Sequence, residues 1–210
     1  MIYIINFKTY ETLPETIKLA KICELVAKQT KKNIVLAVPA TDILAIAKNC
    51  SLPILAQHVD YFEEGRHTGS IIAENVQAAG AIGSIINHSE RPIKEKQIEK
   101  TIKHLRKLGM LSVACVKTPT QAKKLAEYKP DIIAIEPPEL IAGKMSVAAA
   151  KPEIITKTVH SVNVPVICGA GIHNAKDVQK ALDLGAQGIL ISSAVVTAKN
   201  PQKVLTELLQ

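Results

Sequence analysis

The chain contains no tryptophan, and its aromatic residues amount to two phenylalanines and four tyrosines among 210 residues. Only these few rings are available to stack against bases, and the lysines are dispersed over helical segments. The formal charge of +7 therefore describes a general attraction for anions rather than a nucleic-acid groove. Segments such as Lys94-Glu95-Lys96-Gln97-Ile98-Glu99-Lys100 mix both signs, as a solvated helix face does. Cysteine is equally sparse: Cys23, Cys50, Cys115 and Cys168 form no C-x-x-C pair, and the histidines do not cluster. Neither a zinc site nor a disulfide framework is expected, and the thiols read as reduced and buried. Cys115 sits in the apolar run 111–116, where sulfur acts as a small hydrophobe. No metal and no cofactor is expected. No apolar run approaches the roughly 18 residues that cross a bilayer. The apolar beginning is interrupted at once by Asn6 and Lys8, so a secretory leader is not expected either. The reading is a cytoplasmic protein with no membrane partner.

What the chain does have is alternation. Short aliphatic runs recur at 2–5, 33–38, 53–57, 82–87, 111–116, 132–135, 164–168 and 188–191. Helical patterns lie between them, over 14–29, 71–79, 94–108, 120–128, 152–162 and 175–184, with Gly80, Gly109 and Gly185 placed as C-terminal stops. Strands alternating with helices imply parallel pairing through right-handed crossovers. Eight units use the whole chain, and polar groups recur at successive strand ends rather than after the first strand alone. That favours one (β/α)8 barrel domain over 1–210 against a doubly wound open sheet. The length lies near the low end for such barrels, about 200 to 400 residues. Some helices must be trimmed, and the two shortest units, 33–53 and 111–132, are the expected places.

In a barrel the chemistry gathers at the C-terminal strand ends. Strand 1 ends in Asn6-Phe7-Lys8, and alternation points Asn6 and Lys8 into the mouth while Phe7 packs behind. Lys8 offers a fixed positive charge, or is a surface lysine just past a strand. Strand 3 ends in Gln57-His58-Val59-Asp60; His58 and Asp60 read as supports for the following loop or as subunit contacts, rather than as a catalytic pair. Strand 4 runs into Asn87-His88-Ser89-Glu90-Arg91, where an apolar run stops at an imidazole. Ser89 could cap a short helix whose free N–H groups face that ring. His67, His104, His160 and His173 read as structural or solvent-exposed. Strand 6 delivers Glu136, a base candidate whose buried surroundings would raise its pKa. Pro137 and Pro138 at one end and Gly143 at the other give the segment after it the layout of a lid. Small residues after strands 7 and 8, Gly169-Ala170-Gly171 and Ser192-Ser193-Ala194, let backbone amides approach an anion such as a phosphate.

These motifs, in order from about Ile2 to Pro201, resemble the triosephosphate isomerase family, specifically its compact archaeal branch. The resemblance implies interconversion of dihydroxyacetone phosphate and D-glyceraldehyde 3-phosphate through an enediolate. It implies Glu136 as the base, a neutral His88 as the electrophile, Lys8 as the stabiliser of the enediolate charge, Asn6 as an orienting group and Glu90 as a carboxylate beside Lys8. It implies a triose phosphate substrate held by Asn6, Phe7 and Lys8 and by amides near Ile141 and Ala142, of Gly171, and of Ser192 and Ser193. The loop 61–70 matches the family's intersubunit loop, with Thr68 offered to a neighbour, in a homodimer or homotetramer. The chain departs from the family at Ala142-Gly143-Lys144 in the lid, at Ser192-Ser193-Ala194 where glycine is common, and at Pro92. It departs again at Cys168 and Gly171, where larger relatives latch the lid with Tyr and Ser. If the last loop needs a positive φ, serine there adds strain. A non-catalytic phosphate-binding barrel and another phosphosugar isomerase or epimerase are the alternatives. The second has no reason to carry Asn6, Lys8, His88 and Glu136 together.

Overall fold

A computed structural model of the chain describes residues 1–137 and 146–210. The aliphatic runs form eight strands: β1 Ile2–Asn6, β2 Asn33–Val38, β3 Ile54–Ala56, β4 Gly83–Ile86, β5 Leu111–Val116, β6 Ile132–Ile135, β7 Val166–Cys168 and β8 Gly188–Ile191. Each pairs in parallel with the next, and β8 returns to β1, closing the barrel. The larger helices are α1 Glu15–Thr30, α4 Glu95–Lys107, α5 Pro119–Ala126, α7 Pro152–Ser161, α8 Ala175–Asp183 and α10 Pro201–Leu208. Shorter turns of helix are α2 Ile43–Ala47, α3 Ala73–Ala78, α6 Val147–Ala150 and α9 Ser193–Val196.

Strand parity divides the interior into two layers. Ile4, Val35, Ala37, Leu55, Ile85, Val113, Cys115, Ala134, Ile167 and Leu190 fill the barrel. Their neighbours Tyr3, Ile5, Leu36, Val38, Ala114, Ile133 and Cys168 face outward against the helices. Each buried aliphatic side chain contributes about 1.5–3 kcal/mol, so closing the barrel and packing the helix ring are one cooperative event. The parity fixes the mouth as well: Asn6 and Lys8 continue the inward series of Ile4, and Glu136 continues that of Ala134.

Several boundaries differ from the sequence expectation. Trimming falls on α2 and α3, whereas the unit after β5 keeps an eight-residue helix. Thr118 starts that helix early by accepting from the Gln121 N–H, with Pro119 in the first turn. The α3 pattern shortens at its start because Ile72 still has extended backbone, φ −92 and ψ 153, so the helix begins at Ala73. β7 begins at Val166 rather than Val164, since Pro165 has no N–H to give the ladder.

Candidate active site

Lys8 has a left-handed backbone, φ 49, a conformation that costs a non-glycine residue about 1–3 kcal/mol. Two side chains hold it there. Asn6 Oδ1 accepts the Lys8 N–H at 3.0 Å, and Gln57 Nε2 donates to both Asn6 Oδ1 (3.2 Å) and the Lys8 carbonyl (3.0 Å). The ammonium, thus aimed, meets Glu90 Oε1 at 2.5 Å.

Asn87 also has a positive φ, 60, which breaks strand alternation just before His88. Its amide donates to the Cys115 carbonyl (2.9 Å) and accepts from the Ile93 N–H (3.1 Å), stitching the turn to β5. No helix follows Ser89. Pro92 disfavours the helical region for Arg91, and the segment forms a turn closed by Arg91 N–H to the His88 carbonyl at 2.8 Å. That turn points the Glu90 N–H at His88 Nδ1, 3.2 Å away. An acceptor at Nδ1 puts the ring proton on Nε2. Burial lowers the His88 pKa, Glu90 opposes that, and Lys8 adds to it. The ring is therefore neutral near pH 7, held so by burial and one amide rather than by a helix end.

Nε2 faces Glu136 Oε2 at 3.6 Å. With a neutral ring this is not an ion pair, and the distance exceeds a hydrogen bond. Glu136 is buried, and Oε2 has no hydrogen-bond partner among the described residues. Burial pushes its pKa up to about 7, against the lowering influences of the Cys115 thiol and Lys8. The carboxylate fits only because the adjacent position on β7 is Gly169, where a β-carbon would lie 2.5 Å from Glu136 Cγ and Oε1. The first glycine of Gly169-Ala170-Gly171 thus seats the Glu136 carboxylate.

Asn6, Lys8, His88 and Glu136 line one cavity with Gly171, Ser192 and Ser193. Ala170 and Gly171 both have positive φ, 71 and 67. Ser192 does not, at φ −139, so the expected left-handed strain at that serine is absent. Phe7, expected among the substrate contacts, lines no part of this cavity; its ring is buried in the outer core, as strand parity dictates. Glu90 is brought in through Lys8 and through its own N–H. Ile141 and Ala142, with the rest of the expected lid, lie outside the described residues. His58 and Asp60 serve the loop: Asp60 accepts the Ile71 N–H at 2.8 Å and pairs with His58 at 3.2 Å. Thr68 is exposed on that loop. Among the other histidines, His104 is buried and pairs with Glu74 at 2.8 Å. His173 is exposed, as expected, and also lines the cavity.

Sequence reasoning gave no role to Gln57, and it read Cys115 as a small hydrophobe and Gly169 as one of the small residues that admit an anion, without foreseeing that both meet Glu136. Gln57 carried a signal, a polar residue directly after an apolar strand. Cys115 carried none, because its partner Glu136 is 21 residues away and meets it only across the β5–β6 pair.

Comparison with known proteins agrees with this geometry. The triosephosphate isomerase family model matches residues 1–209. A triosephosphate isomerase of Methanobacterium bryantii is 43% identical over 214 residues, covering 99% of this chain and 95% of its own. One from Methanocaldococcus jannaschii is 40% identical, covering 100% and 99%. The crystal structure of triosephosphate isomerase from Bartonella henselae shares the fold, with a TM-score of 0.77 at 19% identity and 97% of each chain covered.

Proposed function

The chain belongs to the triosephosphate isomerase family and is an isomerase interconverting dihydroxyacetone phosphate and D-glyceraldehyde 3-phosphate, and we propose that Glu136, His88 and Lys8 carry the proton transfers. Glu136 removes the carbon-bound proton and returns it to the neighbouring carbon. A carboxylate with a pKa of about 7 suits that task, being partly ionised at neutral pH yet basic enough to hold the proton. The neutral His88 donates from Nε2 to the substrate carbonyl oxygen. Lys8 supplies the fixed charge that stabilises the enediolate. Asn6 orients the substrate and the lysine, and Glu90 orients Lys8 and His88. The phosphate is held at the far end by the amides of Gly171, Ser192 and Ser193, together with Ile141 and Ala142. No cofactor takes part. The observation that carries this reading is the buried Glu136 carboxylate, without a hydrogen-bond partner at Oε2, facing a neutral imidazole and a lysine in one cavity.

The reading places the protein in glycolysis and gluconeogenesis, in the cytoplasm. No helix among the described residues is long and apolar enough to cross a membrane. It assembles as a homo-oligomer, at least a dimer, through the loop bearing Thr68. A groove of about 380 Å³ lies beside the site, lined by Thr9, Pro39, Thr41, His58, Ile71 and Arg91. Exposed Tyr10, Leu13 and Leu44 follow closely on Thr9 and Thr41 and supply apolar surface. Light scattering should give at least twice the chain mass.

A coupled isomerase assay tests the central claim. Glu136→Asp should cut kcat by about 10² or more, since a shift of the base by about 1 Å is enough for that, while sulfate binding stays close to wild type. Equal loss of both would refute the role of Glu136.

A further inference from the structure

Gly169, whose missing side chain makes room for the Glu136 carboxylate, is followed at once by two left-handed residues, Ala170 at φ 71 and Gly171 at φ 67. Glycine adopts that backbone freely, but alanine does so only where its surroundings hold it. The holding groups start on α8. Asp177, in the first turn of that helix, accepts the His173 N–H at Oδ2 (3.0 Å) and the Ser146 hydroxyl at Oδ1 (2.8 Å). Ser146 is buried, and its Oγ in turn accepts the Ala149 N–H at 3.2 Å, capping α6. The next residue, Val147, donates its N–H to the Ala170 carbonyl at 3.3 Å. One carboxylate therefore reaches both ends of the stretch 170–173: directly at His173, and through Ser146 and Val147 at Ala170. Asp177 is itself fixed, because Asn174 Oδ1 accepts its N–H at 3.1 Å. It stands behind the cavity, outside the lining.

We propose, resting on the reading of Glu136 as the base, that Asp177 is a positioning residue for the isomerisation: it clamps the stretch 170–173 between α6 and α8, and so keeps the Gly169 backbone where the Glu136 carboxylate has room. Gly169 has no side chain by which to be held, so its place depends on its neighbours. Its N–H donates to the Ile135 carbonyl at 3.0 Å on one side, and the clamped Ala170 follows on the other. The clamp works through hydrogen bonds and not through charge. A negative charge on this side of the barrel disfavours both an ionised Glu136 and an anionic substrate, so charge alone would make Asp177 a hindrance. The two accounts thus predict opposite signs when the carboxylate is removed. Asparagine at 177 can keep both arms, its carbonyl accepting the His173 N–H and its amide donating to Ser146 Oγ, while dropping the charge. Alanine keeps neither arm.

The test measures kcat of the full-length protein beside amide hydrogen exchange at Val147 and His173. Asp177→Ala should lower kcat about tenfold, since a shift of the base by a fraction of an ångström is enough for that, and should quicken exchange at both amides. Asp177→Asn should keep kcat within about twofold of wild type, and both amides slow. Ser146→Ala cuts the arm to Ala170 alone: exchange should quicken at Val147 and stay slow at His173, with an intermediate fall in kcat. Combined with Asp177→Ala it should cost less than the two single losses together, because both act through one clamp. Referring kcat to the folded fraction seen by circular dichroism separates positioning from stability, since a role in stability alone would leave that value at the wild-type level. Three results would each overturn the proposal: Asp177→Asn as slow as Asp177→Ala, Asp177→Ala at or above the wild-type kcat, or unchanged exchange at both amides. A Glu136→Asp protein with undiminished kcat would instead sink the reading of Glu136 as the base, while exchange reads the clamp independently of it.

Discussion

Glu136→Gln should stop turnover and, above neutral pH, make the fold more stable. The carboxyl is raised from 4.5 to about 7, chiefly by burial. A raised acid keeps its proton longer in the folded state than in the unfolded chain. Below about pH 4.5 both states are protonated, and the buried group carries no charge penalty. Between 4.5 and about 7 the unfolded chain ionises first, so stability is lost as pH rises; above about 7 both states are ionised and the loss is complete. That rise corresponds to about 3 kcal/mol. The amide of glutamine has no charge to desolvate, fills nearly the same volume above Gly169, and escapes the penalty. Urea unfolding of both proteins at equal concentration, at about pH 4.5 and about pH 8.5, reads the difference. The gap between the two stabilities should widen in favour of the glutamine variant by about 3 kcal/mol from the lower to the higher pH. A constant gap, or one that closes, would refute the claim that burial raises this carboxyl.

The same group should set the acid limb of activity: kcat/KM is expected to rise with pH through about 7 and then level off, because His88, lowered by burial, stays neutral across that range. A limb centred near the ordinary carboxylate value of 4.5 would contradict it. Gly169→Ala places a β-carbon 2.5 Å from the Glu136 carboxylate, and should lower kcat by about 10² through displacement of the base, with the circular dichroism spectrum of the fold retained; an unchanged kcat would show that Glu136 does not depend on that space.

Much of this fold is legible because a barrel repeats one instruction eight times. Alternation within Ile2-Tyr3-Ile4-Ile5 and its seven counterparts settles which residues fill the barrel and which meet the helices. The same parity carries past the strand ends to Asn6, Lys8 and Glu136. Where parity fails, so does the reading. Asn87 takes a positive φ and turns His88 by a route that no alternation encodes, and Pro92 replaces the expected helix with a turn whose amide does the work. The short α2, α6 and α9 escape periodicity because four or five residues make barely more than one turn.

Two carboxylates show why identity at a position is not enough to assign a role. Glu90 and Glu136 both reach the mouth, and both approach His88, at 3.7 Å and 3.6 Å. Glu90 has a half-exposed side chain and meets the Lys8 ammonium. Glu136 is sealed against β7, and its Oε2 lacks a hydrogen-bond partner among the described residues. An exposed, paired carboxylate is a fixed charge that positions its neighbours, whereas a buried one with a bare oxygen is poised to take a proton. The difference comes from Gly169, Cys115 and the closure of the barrel, which lie far from Glu136 in sequence and reach it only once β5, β6 and β7 are paired. The contrast between the surroundings of the two glutamates is therefore a product of the fold, set by the same burial that stabilises the barrel.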